Sequence, residues 1–564
     1  MTIINTLPYT IANGQAVDAT PVMADLNQIV SNVNANAVAS ASLAAFGGAG
    51  LVGYSQGASG SVLRTQAEKN QESVSVLDFG ADPTGVADST AAIQAAVASL
   101  GDKGGNIDIR GCRLLVDSGN IDIPACVTLI GDFSDWNGAQ AIDNGAVLDY
   151  RNTVTSVIIL NPLYTINLSA SSSIKNVQIV RKGLTFTTSA AASFSGTAVS
   201  AISSTSNYGN DIYGASIENA QILGFTRAVD ADYSSRMFID KLSFDCTNGI
   251  RIQNSGDITR IQNVHGWPYV TNQAGVTNAQ NFRSGEGIFL ANMNDAPILS
   301  AVSIINYQTC FDLNTNVSVA SLVNCTADGT NQTGTVGFNI GPQNGCSLVN
   351  CLAYSQLIGF SINDTSNSPL EFVGCRYENA GTASQIGFNI TQGNVHINGG
   401  QINNAGAIGA SIGANAVVRF NGTQFAGNTS NHILATSTSA TVLGADTCVF
   451  DNAQYTGGWD APQISTYTSG TLPIPINGDV FEISAPSTVG SIYNIIGTSG
   501  ISQRKITLLF TNASPPTVVS SSFTTGAYAI HLSGNTNFTP TQGASLSLVF
   551  SQTAQMWLEI GRSA

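Results

Sequence analysis

The sequence has little charge, no long apolar run and no excess of basic residues. Only 10% of its 564 residues are charged, whereas 43% are hydrophobic and 57 are glycine, a composition that argues against a disordered chain. Its 20 Lys plus Arg against 35 Asp plus Glu give a net charge of −15, which opposes binding to nucleic acid or anionic lipid. No segment approaches the ~20 apolar residues of a membrane span.

Signals for export, disulfides and metal binding are also missing. The first residues, MTIINTLPYT, contain no basic region followed by an apolar one, so no signal peptide is expected. The nine cysteines form no CxxC pair, and the four histidines lie far apart, so neither a disulfide framework nor a metal site is indicated. We expect no cofactor, and no calcium site is indicated.

The first 70 residues contain one clear helix signal. Thr20 is placed to cap the helix and Pro21 to occupy its first position. Apolar residues then recur at heptad spacing at Val22, Leu26, Ile29 and Val33. The pattern predicts a short coiled-coil-like element for oligomerisation or docking. The Ala-, Gly- and Ser-rich stretch from Ala35 to Leu63 reads as a neck, with a membrane-active segment as the alternative.

The middle of the chain is built from a repeat of about two dozen residues. Its core reads apolar, any, Asn or Gly, any, any, apolar. Copies begin at Ile174, Ile217, Ile239 (where Lys241 takes the third position), Phe372, Ile397 and Phe420, with partial copies at Ile261, Leu322, Leu348 and Leu443. Two longer intervals, from Ile174 to Ile217 and from Ile261 to Leu322, leave room for extra rungs plus insertions.

Each copy contains short alternating strands between Gly, Asn, Ser and Thr turns and has no room for a helix. The pattern predicts a parallel β-helix in which equivalent residues stack ~4.8 Å apart. Cys325, Cys351 and Cys375 occupy one repeat position, so we expect them in one column, as packed small side chains rather than metal ligands. A column of turn asparagines, including Asn176 and Asn219, is expected as well.

Beyond Pro473 and Pro475 the pattern changes to longer alternating strands, such as KITLLF from 505 and SLSLVF from 545. These predict a separate antiparallel β-sandwich. The expected organisation is an attachment and neck segment at 1–70, a β-helix at 71–455 that carries the binding face, and the sandwich at 470–564.

Residues 76–96, VLDFGADPTGVADSTAAIQAA, resemble the entry motif of the pectate-lyase-like β-helices of bacteriophage tailspikes. Here Asp88 and Ser89 are N-cap candidates for a helix at about 88–99, which would cover the open first rung. Residues 104–132 resemble the first rungs of that family. The likeness extends more weakly to 261–270, 292–304, the closing WLEIGRS and the amino-terminal segment.

This resemblance implies an all-β, right-handed, single-stranded parallel β-helix that assembles as a homotrimer. It also implies a place in the phage virion, with the amino-terminal segment bound to tail, baseplate or adaptor proteins after assembly in the bacterial cytoplasm. The implied ligand is a bacterial surface polysaccharide. A rigid face of stacked rungs suits such an extended polymer.

Hydrolysis of a polysaccharide needs a pair of carboxyl groups. Glu218 and Asp240 each follow a repeat anchor by one residue, so both are expected to point outward on consecutive rungs, as a catalytic pair or as two solvated surface acids. The repulsion of two such close charges would raise one pKa.

A second candidate cluster lies in the longer interval after Ile261. Glu286 and Asp295 are further catalytic candidates, and Trp267 and Tyr269 offer faces for stacking sugars. Arg283 offers a fork for a carboxylate. The competing interpretation is that Trp267 and Pro268 pack the insertion against the helix.

The predicted function is binding of a capsule or O-antigen and its cleavage by glycoside hydrolysis. A lyase would need a basic residue or tyrosine near a uronic acid, and the absence of a basic cluster makes hydrolysis the favoured chemistry. A non-enzymatic adhesin or structural tail fibre of the same fold remains open.

Overall fold

The computed structural model describes residues 19–563 apart from several segments. These segments are 134–155, 185–192, 204–210, 271–281, 294, 330–333, 343–344, 367, 380–384, 429–430, 438–439, 445–446, 451–462, 465–466, 468–469, 475–479, 497–504, 522–527 and 552–553. Among the described residues no helix has the length and apolar character needed to cross a membrane.

The described part of the middle region is a parallel β-helix whose strands form three columns. The first column consists of Ser73–Ser75, Gly105–Asp108, Val127–Ile130, Ser173–Arg181, Ser216–Leu223, Phe238–Asp245, Arg260–Gln262, Ile298–Ser300, Ala320–Val323, Cys346–Val349, Pro369–Val373, Ile386–Asn398, Ile408–Asn421 and Thr441–Leu443.

The second column shares the three strands between Ser173 and Asp245 and otherwise consists of Thr84–Asp88, Arg113–Val116, Val157–Leu160, His265–Gly266, Ser303–Ile305, Thr326–Asp328, Leu352–Tyr354, Arg376–Glu378, Gln401–Asn403, Gln424–Ala426 and Val449–Phe450.

The third column shares the two long strands Ile386–Asn398 and Ile408–Asn421 with the first, and otherwise consists of Ile121–Ile123, Ile166–Leu168, Thr197–Ile202, Arg227–Asp232, Asn248–Gln253, Arg283–Met293, Tyr307–Val317, Val336–Ile340, Ile358–Asn363 and Asn431–Ala435.

The repeat anchors pair with one another in the predicted register. Ile174 faces Ile217, which faces Ile239. The 43-residue interval from Ile174 to Ile217 is therefore one enlarged rung and not two. The 61-residue interval contains one extra rung, because Ile261 pairs with Leu299 and Leu299 with Leu322. The last anchor was one residue out of register, since Leu443 pairs with Arg419 and not with Phe420.

The turn that follows each anchor requires a left-handed backbone conformation. Asn176 and Asn219 have φ of 58° and 50°, and Asn219 donates a side-chain hydrogen bond to Asn176 at 2.8 Å. Later rungs place Gly374 and Gly399 in the same position, with φ of 64° and 66°. Asparagine and glycine recur there because both tolerate this conformation.

The interior is filled by columns of like side chains. Cys325, Cys351 and Cys375 are buried in consecutive rungs, as predicted, and each thiol points at the carbonyl of an anchor residue one rung back. Among the described residues no group of three or more His, Cys, Asp or Glu is placed to hold a metal. A second column stacks Phe311, Phe338, Phe360 and Phe388 with ring centroids 4.6, 4.9 and 4.4 Å apart.

A helix, Thr90–Leu100, covers the first rung, close to the predicted bounds. Ile93, Ala96 and Leu100 are buried against the core of the β-helix. Asp88 caps the helix, since its Oδ1 accepts the Thr90 backbone N–H at 3.1 Å. The Ser89 side chain instead accepts the Asp82 N–H at 3.0 Å.

The amino-terminal helix, Ala19–Ala44, is longer than predicted and begins two residues before Pro21, the predicted first position. Residues 35–44, expected in the neck, are helical because alanine is the strongest helix former. Leu26, Ile29 and Val33 of the predicted seam are exposed in the single chain. A short helix, Gln66–Asn70, and a hairpin of Gly53–Tyr54 with Arg64–Thr65 precede the β-helix.

The carboxyl-terminal region has its own hydrophobic core, but its six-stranded sheet is mixed rather than antiparallel. Val480–Ile483 pairs in parallel with both Gln463–Ile464 and Lys505–Phe510, whereas Ser545–Ser551 pairs antiparallel with its neighbours Lys505–Phe510 and Met556–Ser563. The sheet is completed by Ile530–His531, and Thr471–Pro473 pairs separately with Asn494–Ile496. Alternation in the sequence identified strands but not their directions.

The backbone amides of the helix Thr90–Leu100 are expected to lose their protection from hydrogen exchange in acid. Burial disfavours the Asp88 carboxylate, but hydrogen bonds from Ser118, Thr90 and Asp117 outweigh it and lower its pKa to about 2. A carboxyl whose pKa falls on folding stabilises the fold above its unfolded pKa, near 4, and loses that contribution as the pH falls toward 2. Hydrogen exchange of the helix, corrected for intrinsic rates, should accelerate over this range.

In the Asp88→Asn variant, protection of the helix should be lower at pH 6 and should vary less between pH 6 and 2 than in the wild-type protein. Asp102→Asn, at an exposed acid beyond the helix, is the matched control. An unchanged exchange profile in Asp88→Asn would contradict the capping role.

Candidate active site

Glu218 and Asp240 are register partners on neighbouring strands, as predicted. Each carboxylate, however, contacts a residue on the rung that lies away from the other carboxylate. Lys175, one rung before, contacts Glu218 Oε1 at 3.0 Å, and Asn263, one rung after, donates to Asp240 Oδ1 at 2.8 Å. These partners draw the two carboxylates apart along a ladder of polar side chains.

Trp267 and Tyr269 belong to a hydrophobic cluster outside the main core. Tyr269 is buried, its hydroxyl lies 2.9 Å from His265 Nδ1, and its ring centroid lies 5.3 Å from that of Trp267. The cluster includes Val157, Val180 and Leu223, and Trp267 packs on it half-buried. Burial lowers the pKa of His265. This arrangement corresponds to the packing interpretation and leaves Tyr269 no face for a sugar.

Arg283 is fully buried, contrary to the expectation of a surface fork. Its Nη2 lies 2.9 Å from Asp245 Oδ1, its Nη1 donates to the Ile305 carbonyl at 3.0 Å, and its guanidinium lies 5.0 Å from the Tyr307 ring centroid. Burial opposes the charge of Arg283, but Asp245 raises its pKa above the usual value. The fork is therefore occupied inside the protein.

Glu286 and Asp295 are not brought together. They lie near opposite ends of the 11-residue strand Arg283–Met293, with Asp295 exposed beyond its last residue. The Asp295 carboxylate accepts the N–H of Ala296 at 2.8 Å. Glu286 is half-buried on the outward side of the third column.

Around Glu286 lie four charged residues that the sequence interpretation missed. We call the set of five the charged face, and it consists of Arg227, Asp230, Arg251, Glu286 and Asp312. Asp230 and Arg251 pair across adjacent strands with two hydrogen bonds of 2.6 and 2.7 Å. Arg227 Nη2 lies 3.9 Å from Glu286 Oε2, which is beyond hydrogen-bonding distance.

Asp312 is the acid with the most altered environment on this face. Burial raises its pKa, and the negative charge of Glu286 raises it further, although Asn314 and Asn339 donate hydrogen bonds that oppose the shift. Asp312 lies on the next strand, where it pairs with Phe289. Phe289 is three residues beyond Glu286 on its own strand. One strand spacing and three residue steps set the two backbones about 11 Å apart.

A signal for this face was present in the sequence. Asp230 and Arg251 are 21 residues apart, and Phe289 and Asp312 are 23 apart, which are the intervals of the repeat. The repeat pattern was written for the first column alone, so no register was assigned to the third column, where these residues stack.

No protein-family model matches the chain, and no curated protein matches it. Several solved structures are similar to it. Tailspike protein 3 of bacteriophage CBA120 superposes over 97% of this chain and 76% of the tailspike chain, at 12% identity and a TM-score of 0.44. The tailspike of Escherichia coli bacteriophage HK620 covers 91% and 90% at 13% identity and a TM-score of 0.44.

The catalytic unit of a GH87 α-1,3-glucanase from Streptomyces thermodiastaticus covers 69% of each chain at 15% identity and a TM-score of 0.39. Similarities of this size carry no argument about activity, so the chemistry has to come from the residues of this chain.

The buried pair Asp245 and Arg283 predicts a stability effect. Arg283→Gln leaves a buried carboxylate without its charge partner, which should lower the free energy of unfolding by about 3–5 kcal/mol. Chemical denaturation would measure this, with Arg419→Gln on the surface as the control. A stable Arg283→Gln variant that fails only to bind ligand would restore Arg283 as a binding residue.

Phage tailspikes are thus among the solved structures that this chain resembles, as the sequence predicted.

Proposed function

We propose that this protein binds a bacterial surface polysaccharide, capsule or O-antigen, along its β-helix and depolymerises it by glycoside hydrolysis at the charged face. The observation that carries the proposal is the half-buried Asp312 with its raised pKa, close to the ionisable Glu286. Two carboxyl groups in different environments are what such hydrolysis requires, one holding a proton and one without.

In the proposed reaction Asp312 donates its proton to the glycosidic oxygen as the bond to the anomeric carbon breaks. Glu286 accepts a proton from the water that attacks this carbon. Gly287 and Ile288 are consecutive buried residues, so the strand alternation is interrupted between the two acids, and Glu286 and Asp312 are both on the outward side. Backbones about 11 Å apart are compatible with the ~6.5–9.5 Å separation of carboxyl groups that leaves room for a water. The expected outcome is inversion at the anomeric carbon.

Glu218 and Asp240 remain the alternative pair from the sequence. Their contacts to Lys175 and Asn263 make them members of a ladder of paired polar side chains on the first column, separate from the charged face of the third. They are less suited to acid catalysis, because the cation beside Glu218 favours a carboxylate over a proton donor.

The same proposal places the protein in a phage virion as a homotrimer attached through residues 1–70. The exposed Leu26, Ile29 and Val33 of the amino-terminal helix support this, because they form an apolar stripe that a second and third copy would cover.

Glu286→Gln and Asp312→Asn should each reduce the release of reducing ends from host polysaccharide by about 10²–10⁴-fold, because each removes one proton-transfer group. Glycan binding should persist. Glu218→Gln and Asp240→Asn are matched controls that should cleave normally.

The products separate the alternatives. Loss of cleavage only in the control variants would move the site to Glu218 and Asp240. Unsaturated ends in the products would identify a lyase. The absence of any product from a glycan that the wild-type protein binds would identify an adhesin.

Asp312→Asn should also raise the melting temperature at pH 7. A carboxyl whose pKa rises on folding binds its proton more tightly in the folded state, so its ionisation lowers stability as the pH rises above the unfolded pKa. The stabilisation by Asp312→Asn should vanish below about pH 4. A variant less stable than wild type at pH 7 would contradict the altered environment of Asp312.

A further inference from the structure

The guanidinium of Arg227 is an unusual cation on this molecule. Its side chain is only 16% exposed, and Nη1 is buried without a hydrogen-bond partner. Its nearest carboxylate oxygen, Glu286 Oε2, lies at 3.9 Å. Burial lowers the pKa of Arg227, and the charge of Arg251 lowers it further.

None of the acids of the charged face forms a hydrogen bond to this cation. The charges that act on it are those of Arg251, Asp230 and Glu286. Asp230 is engaged by Arg251 through two hydrogen bonds. Glu286 therefore remains as the counter-charge, at a distance where no hydrogen bond forms.

A desolvated guanidinium with unused N–H donors is costly to maintain. Nη1 is enclosed by protein, so a ligand carboxylate would approach Nη2, which has no hydrogen-bond partner among the described residues, and would form a charged hydrogen bond there. The overall charge of −15 repels densely anionic polymers. A single acidic group in each repeating unit therefore fits this face better than a polyphosphate.

We propose that Arg227 binds a carboxylate of the polysaccharide beside Glu286 and Asp312, so that the substrate is an acidic glycan. This rests on the proposed function for its location at the reacting bond. The carboxylate could belong to a uronic acid or to a pyruvate acetal, two sources with the same recognition chemistry. Arg227 is then a specificity-determining residue, and it stays distinct from the two proton-transfer groups.

The test measures binding of immobilised capsular polysaccharides, acidic and neutral, in an Asp312→Asn background so that the glycan is not consumed. Arg227→Gln should weaken binding of acidic polysaccharides by about tenfold to 100-fold, the value of one or two charged hydrogen bonds. Binding of neutral glycans should not change. Arg227→Lys should recover part of the affinity, and Arg419→Gln on the surface is the matched control.

Chemical editing of the glycan identifies the source of the carboxylate. Reduction of uronic acids to alcohols, or mild-acid removal of pyruvate, should each abolish the Arg227 effect only on polymers that carry that group. Equal binding of acidic polymers by Arg227→Gln and its parent would overturn the proposal. Preference of the parent for neutral glycans would overturn it as well.

The outcomes also separate this inference from the proposed function. If Arg227 served only to orient Glu286, Arg227→Gln in the otherwise wild-type chain would lower kcat on neutral and acidic glycans alike and leave binding unchanged. If Asp312→Asn still cleaved while Arg227→Gln lost acidic glycans, the hydrolytic assignment would fail and carboxylate recognition would stand.

Discussion

In-register hydrogen bonding between successive parallel rungs is the constraint on which the rest of this structure depends. Ile217 faces Ile239 and Ile239 faces Ile261, and a shift of one residue would turn every inward side chain to the outside. Because the register holds, like stacks on like. The Phe311 column, with ring centroids 4.6 Å apart at its first step, is one result, and the cysteine column is another. The stacked core stabilises a shape that is long in one direction.

The same constraint explains the composition. From Ile174 onward each rung bends after its anchor through a left-handed residue, which asparagine and glycine supply at low cost, and Lys241 and Ala301 adopt this conformation too. Outward positions are mostly small and polar, so few charges are needed. Those present are concentrated where they have specific partners, as in the buried Asp245 and Arg283 pair and on the charged face.

The limits of sequence interpretation are visible at individual residues. Cys325, Cys351 and Cys375 were placed correctly because identical spacing from an anchor means identical position in a stacked rung. Leu443 was misplaced because the last rungs differ in length and an apolar residue occurs on either side of the true position. The expectation of an exposed fork at Arg283 was wrong because Arg283 lies on the same side of its strand as the buried Gly285. Its partner Asp245 is 38 residues away, so the sequence did not reveal the pairing that makes this burial tolerable. Asp312 was missed because its column had not been given a register.

The sequence by itself determined the class of fold, the repeat, the cap and the outward positions of Glu218 and Asp240, because these follow from local alternation and from a period that only stacking satisfies. The tertiary structure alone decided which acids share a surface and how deeply each is buried. Burial and the proximity of charges arise between residues tens of positions apart, so the raised pKa of Asp312 and the unpaired donors of Arg227 exist only once the chain is coiled.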